Sequence, residues 1–237
     1  MDDNILRHVV VMPDGNRRWA RKKGFQAWTG HRAGAKVLKR ILEKSLEMNI
    51  FCLTFWGASL DNLTKRPKQE VKFLYKVFEN YFKEALKNKK ITENQVKINI
   101  IGEWKRIFPK DNQKYLEKII DKTKNYNNFL LNFLLAYNGT EEMISCVQSI
   151  VSKAEGKKIL VDKNLIKKNL WTKDLPPVDL VIRTGCNDDP HISAGFMMWD
   201  TAYSQIHFTE TLFPDFSTKE FEEIIKTYIS KERRKGA

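Results

Sequence analysis

The chain has 237 residues, of which 42% are hydrophobic and 30% charged, and its formal net charge is +13. This length and apolar content suit one domain that buries a sizeable core and forms a pocket. The positive charge suits diphosphate substrates, an anionic membrane surface or nucleic acid equally, so charge alone identifies no partner. No apolar run approaches the roughly 20 residues that cross a bilayer, so a membrane-spanning protein is not expected.

Strands and helices alternate along the whole chain. The predicted strands are residues 9–12, 51–55, 96–101, 130–135, 180–183 and 205–208. The predicted helices are residues 16–23, 32–47, 69–86, 114–124, 141–153 and 218–229. This alternation predicts an α/β fold: a single domain over residues 1–237, with one mostly parallel central sheet flanked by helices.

The first predicted strand is followed by a glycine turn that carries polar side chains. The sequence HVVVMPDGNRRWA at 8–20 places one carboxylate, one amide and two arginines directly after a buried strand. A helix that begins at this turn offers unpaired backbone N–H groups and the positive end of its dipole. The segment therefore predicts a diphosphate site.

Asp14 is the unusual member of this turn, because a carboxylate repels an anionic ligand unless a cation lies between them. Mg²⁺ is such a cation: it binds one or two carboxylates and completes its shell with phosphate oxygens and water. The alternative is that Asp14 or Asn16 caps the following helix, a role that both residue types favour. The segment alone leaves both interpretations open.

A second polar loop follows a later strand. An apolar run at 178–182 ends in Arg183, Thr184 and Gly185. In open α/β sheets, ligands bind at the carboxyl ends of the strands, so we expect the two loops to face one pocket. The alternative is an ordinary surface loop with Arg183 in a salt bridge.

The three cysteines, Cys52, Cys146 and Cys186, show no paired metal-ligand spacing, and the chain shows no secretion signal. These observations predict a reduced, cytoplasmic location. Any contact with membrane lipid is then expected to be peripheral.

The motifs resemble those of the cis-prenyltransferases. The resemblance covers nearly the whole chain and rests on MPDGNRRWA at 12–20, GHRAG at 30–34, SLDNLTKRPKQE at 59–70, VDLVIRTG at 178–185 and ISAGFMMWDTAYSQIHFTETLFPDF at 192–216. It implies a Mg²⁺-dependent condensation of isopentenyl diphosphate with an allylic diphosphate such as farnesyl diphosphate, giving a cis-polyprenyl diphosphate used as a glycan carrier lipid. It also implies a homodimer, and a hydrophobic tunnel between the sheet and the helices for the growing chain.

The same resemblance implies roles for individual residues. Asp14 is the implied Mg²⁺ ligand and, with Asn16, a catalytic residue. The implied contacts of the allylic diphosphate are Gly15, Arg17, Arg18, Trp19, His31, Ser59, Asn62 and Arg66. The implied contacts of isopentenyl diphosphate are Arg183, His191, Ser193, Arg234 and Gly236. The last two belong to a terminal Arg-x-Gly element that in relatives reaches the site across a dimer interface.

The chain departs from the family pattern at several positions. Gln205 stands where bacterial relatives carry a metal-binding glutamate, and it brings no charge. His191 stands in place of an arginine, in a loop at 186–191 that is longer than usual, so isopentenyl diphosphate is expected to bind more weakly or with more pH dependence. Arg17 replaces a glycine and Ala27 an arginine, which a relocation of positive charge would explain.

Three polar residues have a structural interpretation beside the functional one. His31 is either a diphosphate ligand or a hydrogen-bonded structural group. Arg66 either lines the allylic site or is a surface charge at the start of a helix. Glu70 most simply complements the dipole of the helix whose first turn it occupies.

The apolar residues of the helix at 69–86 form a stripe that predicts core packing, tunnel wall or both. Phe82 or Phe133 could block such a tunnel deeper in. The departures leave room for a short-chain or irregular synthase, or for a noncatalytic partner subunit. Nucleic-acid binding is not expected, because such a protein would not need Asp14 in its anion-binding turn.

Overall fold

All strands that the structure describes belong to one sheet. The computed structural model describes residues 6–156, 158–187 and 190–230. Its strands are β1 His8–Met12, β2 Cys52–Ala58, β3 Val96–Ile101, β4 Phe129–Leu135, β5 Leu180–Arg183 and β6 Gln205–Phe208. Every neighbouring pair is parallel, in the order β3-β4-β2-β1-β5-β6. The predicted parallel α/β sheet is confirmed.

Helices fill most connections between the strands, as crossovers between parallel strands require. They are α1 Asn16–Lys22, α2 Ala27–Glu47, α3 Leu60–Thr64, α4 Lys68–Ala85, α5 Lys89–Glu93, α6 Trp104–Ile107, α7 Lys110–Thr123, α8 Gly139–Ala154, α9 Lys163–Asn169 and α10 Thr218–Ile229. A 3₁₀ turn at Phe213–Asp215 precedes α10.

Several elements extend beyond their predicted ends. β2 continues through Ala58 rather than ending at residue 55, and α2 begins at Ala27 rather than at residue 32. Helix α7 begins at Lys110 rather than at residue 114. Pro109 precedes it with φ −57°, an angle that the proline ring sets and that leads directly into a helix. Apolar periodicity detects only the amphipathic part of such a helix and misses its polar first turn.

The sheet is covered on both faces. Val9 and Val11 belong to the larger core cluster, which also contains residues of α2, α4, α7 and α10. Val10 and Met12 belong to the cluster on the opposite face, as alternation along a strand requires. Among the described residues, no helix is long and apolar enough to cross a membrane.

A row of polar side chains crosses the middle of this apolar sheet. Asn99 on β3 donates to Asn132 Oδ1 on β4 at 2.8 Å, and Asn132 donates to Thr54 Oγ1 on β2 at 2.9 Å. His8 on β1 continues the row: its Nε2 lies 2.8 Å from Thr54 Oγ1, and its Nδ1 lies 2.8 Å from the Pro176 carbonyl. Burial lowers the pKa of His8 to about 4, so the ring is neutral at pH 7.

Candidate functional site

The carboxyl ends of β1, β2 and β5 open into a cavity of about 490 Å³. Most of the residues predicted for the site line this cavity: Asp14, Gly15, Asn16, Arg17, Arg18, His31, Ser59, Asn62, Arg66, Arg183 and Ser193. Arg21 and Asp61 also line it, and sequence reasoning did not assign Asp61 to the site. The cavity wall thus carries five arginines and two aspartates, a charge balance that favours a multiply charged anion.

The turn after β1 is shaped by Gly15. Its φ of +93° lies in the left-handed region, and a Cβ at this position would overlap the Leu212 side chain, so only glycine fits without strain. Gly15 itself is the N-cap of α1, and no side chain caps this helix. The Gly15 N–H donates to Asp14 Oδ1 at 2.5 Å. The alternative that Asp14 or Asn16 caps the helix is therefore not what the structure shows.

The two polar loops face one pocket, as expected. β1 and β5 are neighbours, and Met12 pairs with Arg183 at the ends of the strands. Arg183 Nη2 lies 3.2 Å from Asp14 Oδ2, and Arg18 donates to the Gly185 carbonyl from the other side. Arg183 is only 8% exposed, so it is not the surface charge of the alternative interpretation.

The two glycines of the GHRAG motif bring α2 against α1. A Cβ at Gly30 would overlap the Asn16 carbonyl, and one at Gly34 would overlap Asn16 Oδ1. The Asn16 Oδ1 atom is buried in this contact and has no hydrogen-bond partner within the described part of the chain. This close packing places His31, which lies between the two glycines, on the wall of the cavity.

Glu70 lies in the first turn of α4, as predicted, and it also contacts three residues of the cavity wall. Sequence reasoning assigned it to the dipole of α4, but its Oε1 lies 3.1 Å from Arg66 Nη1, 3.4 Å from His31 Nε2 and 3.5 Å from Arg17 Nε. Arg66 is four residues before Glu70, a spacing that favours a helical ion pair and could have drawn attention to it. The contacts from α1 and α2 are tertiary, and no local pattern predicts them.

His31 is a neutral group in this arrangement. Burial, reinforced by the nearby Arg66 guanidinium, lowers the pKa of His31 to about 4 although Glu70 acts in the opposite direction. Burial also lowers the pKa of Arg66. At pH 7 the imidazole therefore serves as a hydrogen-bonding group rather than a cation.

A single carboxylate, Asp14, is the best candidate for a metal ligand. Its side chain is 48% exposed to the cavity, beside Arg183 and Arg18. In the described ranges, no group of three or more histidine, cysteine, aspartate or glutamate residues could hold a metal ion. A site with one protein carboxylate fits Mg²⁺, which commonly takes its other ligands from phosphate and water, and does not fit a metal that needs a full protein cage.

Other predicted residues lie apart from the cavity. The Trp19 indole donates to Asp215 Oδ1 at 2.7 Å, and the residue does not line the cavity. Gln205 begins β6 at the opposite end from the pocket and donates its backbone N–H to the Asp179 carbonyl. His191 contacts Arg183 through its carbonyl and, at 3.4 Å, through Nε2, but its side chain is exposed. Arg234 and Gly236 lie outside the described residues.

The helix α4 connects this cavity to an aromatic cluster. Leu74 lines the cavity, and one helical turn further the Phe78 ring packs against Gly57. Beyond it, Tyr81, Phe82 and Phe133 contact one another at centroid distances of 5.1–5.5 Å. We call these three residues the aromatic barrier. A second cavity of about 380 Å³ lies beyond the barrier, between α2, α4 and α5.

Comparisons with known proteins all identify prenyl diphosphate synthases or isoprenyl transferases as similar to this chain. Residues 12–236 match the family model for undecaprenyl diphosphate synthase. The chain is 38% identical to the tritrans,polycis-undecaprenyl-diphosphate synthase (geranylgeranyl-diphosphate specific) of Pyrococcus abyssi, over 98% of this chain and 87% of that one. It is 36% identical to the isoprenyl transferase of Fusobacterium nucleatum, over 100% and 98% of the two chains. Lavandulyl diphosphate synthase from Lavandula x intermedia, solved with dimethylallyl diphosphate, is 25% identical with a TM-score of 0.90 over 100% of both chains.

Proposed function

The chain belongs to the undecaprenyl diphosphate synthase family and is a prenyltransferase, and we propose that it condenses isopentenyl diphosphate with an allylic prenyl diphosphate to give a cis-polyprenyl diphosphate. The observation that carries the proposal is the meeting of Asp14 and Arg183 at 3.2 Å in a cavity that five arginines line. The proposed product is a precursor of a glycan carrier lipid.

The arginines of the cavity would stabilise the leaving group of the reaction. Ionisation of an allylic diphosphate produces a carbocation and a pyrophosphate with high negative charge. Arg17 and Arg18 on α1 and Arg66 just before α4 line the cavity, and we assign them to the allylic diphosphate. His31, as a neutral imidazole, would add a hydrogen bond without further charge. Asn16 would hold the turn against α2 and present its amide to the cavity.

Arg183 and Ser193 are the proposed contacts of isopentenyl diphosphate. Arg183 lies at the end of β5, and Ser193 lines the same cavity. His191 would act indirectly, because its carbonyl and ring contact Arg183. We also assign Arg234 and Gly236 to this substrate on the family resemblance. Holding both substrates in one cavity brings the second alkene near the carbocation and keeps water away from it.

Mg²⁺ is the proposed cofactor, and Asp14 is its proposed protein ligand. When bound, the ion would neutralise charge on the departing diphosphate. Asp61 is a second carboxylate on the same cavity, although Lys65 lies 3.1 Å from it. Gln205 is not proposed as a ligand, because its strand places it at the far end of the sheet from Asp14.

The test is incorporation of labelled isopentenyl diphosphate, with Mg²⁺ and with farnesyl, geranylgeranyl or dimethylallyl diphosphate as starter. We expect incorporation by the native chain and a loss of about 10³-fold in the Asp14→Ala variant, because the metal-facing carboxylate is removed. Asp111→Ala is the matched control, since its side chain is 90% exposed on α7, away from the cavity. No incorporation with any starter, or full activity of Asp14→Ala, would contradict the proposal.

The starter is an open part of the proposal that the same assay resolves. The Pyrococcus abyssi relative is named as geranylgeranyl-diphosphate specific, whereas the lavandulyl diphosphate synthase was solved with dimethylallyl diphosphate. We propose a prenyl starter of the farnesyl type. A preference of at least tenfold in kcat/KM for dimethylallyl diphosphate would instead indicate an irregular or short-chain enzyme.

The aromatic barrier favours a short-chain synthase as the second candidate. Phe82 and Phe133 are at most 1% exposed, and their ring centroids lie 5.1 Å apart. We propose that they limit the length of the growing chain. We expect the Phe133→Leu variant to make products longer by one or more isoprene units, because the smaller side chain opens space along α4. Phe221→Leu, a buried position on α10 whose ring contacts Phe216, is the control and should leave product length unchanged. An unchanged product distribution in Phe133→Leu would show that the barrier does not limit the chain.

We propose that the chain forms a homodimer through α8. Ile144, Val147 and Val151 are 51%, 54% and 66% exposed and lie on one face of this helix. The family resemblance, which implies a terminal element acting across a dimer interface, identifies a second copy as the partner. We expect a dimer in sedimentation analysis and a monomer for Val147→Asp. Ile229→Asp, at an equally exposed position on α10, should remain dimeric. A monomeric native chain would overturn this assignment.

A further inference from the structure

We infer that Glu70 is a positioning residue, which holds Arg17, Arg66 and His31 in the arrangement that a diphosphate requires. The inference rests on the proposed function and extends it to a residue outside the assigned site. Glu70 is 6% exposed, and one of its oxygens, Oε1, lies within 3.5 Å of a nitrogen of each of the three partners. The three partners come from α1, α2 and the residues before α4.

Glu70 itself does not line the cavity, whereas all three of its partners do. It stands directly behind the wall that they form. It therefore cannot contact a ligand in the cavity without displacing them, and any effect that it has on binding must pass through the partners. This placement distinguishes a positioning residue from a metal ligand or a general base.

The charges explain why such a residue is needed. Two guanidinium groups that converge on one site repel each other, and burial raises the cost of their charge. The buried carboxylate between them offsets this repulsion: it accepts a hydrogen bond from Arg66 Nη1 at 3.1 Å and forms an ion pair with Arg17 Nε at 3.5 Å. Arg66 is held on its other side as well, because its Nη2 donates to Asn62 Oδ1 at 2.7 Å. The arrangement is thus assembled before a ligand arrives, which reduces the cost of ordering it on binding.

Asn62 carries this ordering to the next element. Its backbone N–H donates to the Oγ of Ser59, the N-cap of α3, at 3.0 Å. Ser59 and Asn62 both line the cavity. One buried carboxylate therefore stands at the end of a hydrogen-bonded series, Glu70–Arg66–Asn62–Ser59, whose other three members line the cavity.

The inference and simple electrostatics predict opposite results for Glu70→Gln. Removing a negative charge close to an anion site should tighten anion binding if charge alone matters. If Glu70 positions its partners, the same change should weaken binding, because the two guanidinium groups and the imidazole lose the group that holds them together.

The first experiment is calorimetric titration of the purified chain with inorganic pyrophosphate in the presence of Mg²⁺. We expect Glu70→Gln to weaken binding by about tenfold and Glu70→Ala by more, since glutamine keeps an oxygen that accepts hydrogen bonds. Glu222→Gln is the matched control: Glu222 also lies between two lysines, Lys44 at 3.5 Å and Lys226 at 2.7 Å, but away from the cavity. Unchanged or tighter pyrophosphate binding by folded Glu70→Gln would overturn the inference.

The second experiment uses the prenyl transfer assay. We expect Glu70→Gln to raise the KM of the allylic substrate, to lower kcat, and to leave the KM of isopentenyl diphosphate within about twofold, because its partners lie on the allylic side. A purely structural role would lower the melting temperature without this asymmetry. If the native chain transfers no prenyl group, the proposed function fails, but the pyrophosphate titration still decides whether Glu70 positions the anion-binding wall.

Discussion

Glu70 and Glu142 occupy similar helix positions and are similarly buried, but the groups that surround them differ. Each lies in the first turn of a long helix, α4 and α8 respectively, and they are 6% and 3% exposed. The cations around Glu70 face the cavity. Glu142 is surrounded by neutral donors: the Tyr137 hydroxyl at 2.5 Å, and the Thr172 N–H and hydroxyl at 2.8 and 3.0 Å.

The difference shows that burial of a carboxylate does not by itself identify a functional site. Burial raises the pKa of Glu142, and its donors tie α8 to the segment that follows α9. Neither Glu142 nor Tyr137 nor Thr172 lines the cavity between β1 and β5. Glu142 therefore stabilises the fold, whereas Glu70 organises side chains that face a ligand. The two roles are distinguished by the charge of the partners and by whether those partners face the cavity.

The largest loss of stability is expected from the Glu142→Ala substitution. The change leaves three donors on Tyr137 and Thr172 without their acceptor, so we expect the free energy of unfolding to fall by about 4 kcal/mol. Urea denaturation measures it, and Glu141→Ala, the neighbour in the same turn, should cost less than about 1 kcal/mol. The folded fraction of Glu142→Ala should keep the native kcat/KM. A loss of activity without a loss of stability would break the distinction between the two glutamates.

A decrease in pH is expected to have an intermediate effect on the free energy of unfolding. Two buried histidines, His31 beside Glu70 and His8 in the sheet, have a folded pKa of about 4, below the unfolded value of 6.5. The unfolded chain therefore binds more protons between these values, and stability falls as pH decreases through that window. Between pH 6.5 and 5 we expect a loss of about 2 kcal/mol for each histidine.

Variants separate the two histidines. His8→Gln and His31→Gln should each remove about half of this pH dependence, measured as the urea midpoint at pH 5 and 6.5. Only His31→Gln should also change pyrophosphate binding, because only His31 lies on the cavity. A pH dependence that survives both substitutions would show that other groups cause it.

The smallest effect is expected on the stability of Glu70→Gln. The glutamine oxygen can still accept hydrogen bonds, and water reaches Arg17, whose side chain is 43% exposed. We expect the free energy of unfolding to fall by about 1 kcal/mol, because the two guanidinium groups lose the buried charge that offsets their repulsion. A loss as large as that of Glu142→Ala would show that Glu70 mainly stabilises the fold and would contradict the distinction between the two glutamates.

The sequence predicted the elements of the sheet well, because β-branched and apolar runs such as those in β1, β3 and β5 are local features. It did not predict the order β3-β4-β2-β1-β5-β6. That order depends on which crossovers pack against which face, and no single run records it. The apolar stripe of α7 identified the helix. Its first turn is polar and continues no such stripe, so the predicted start came too late.

The part of the candidate site that lies at the carboxyl ends of the strands could be predicted from the sequence. Asp14 and Arg183 could be brought together because ligand sites in parallel sheets lie at the carboxyl ends of strands. Glu70 lies in the first turn of α4, as predicted, but its contacts with α1 and α2 could not be predicted, because they join residues far apart in sequence. Trp19 was placed in the site by its motif, but its indole donates to Asp215 instead.

The polar row Asn99–Asn132–Thr54–His8 has a consequence for how the sheet assembles. Parallel strands that are distant in sequence come together slowly and pass through mispaired arrangements. A slip of one residue in any strand would separate these side chains and bury donors and acceptors without partners, at about 1–3 kcal/mol for each group. Apolar side chains alone tolerate such a slip along a strand far better. The row therefore favours the native register over slipped ones, because a misaligned sheet loses these hydrogen bonds.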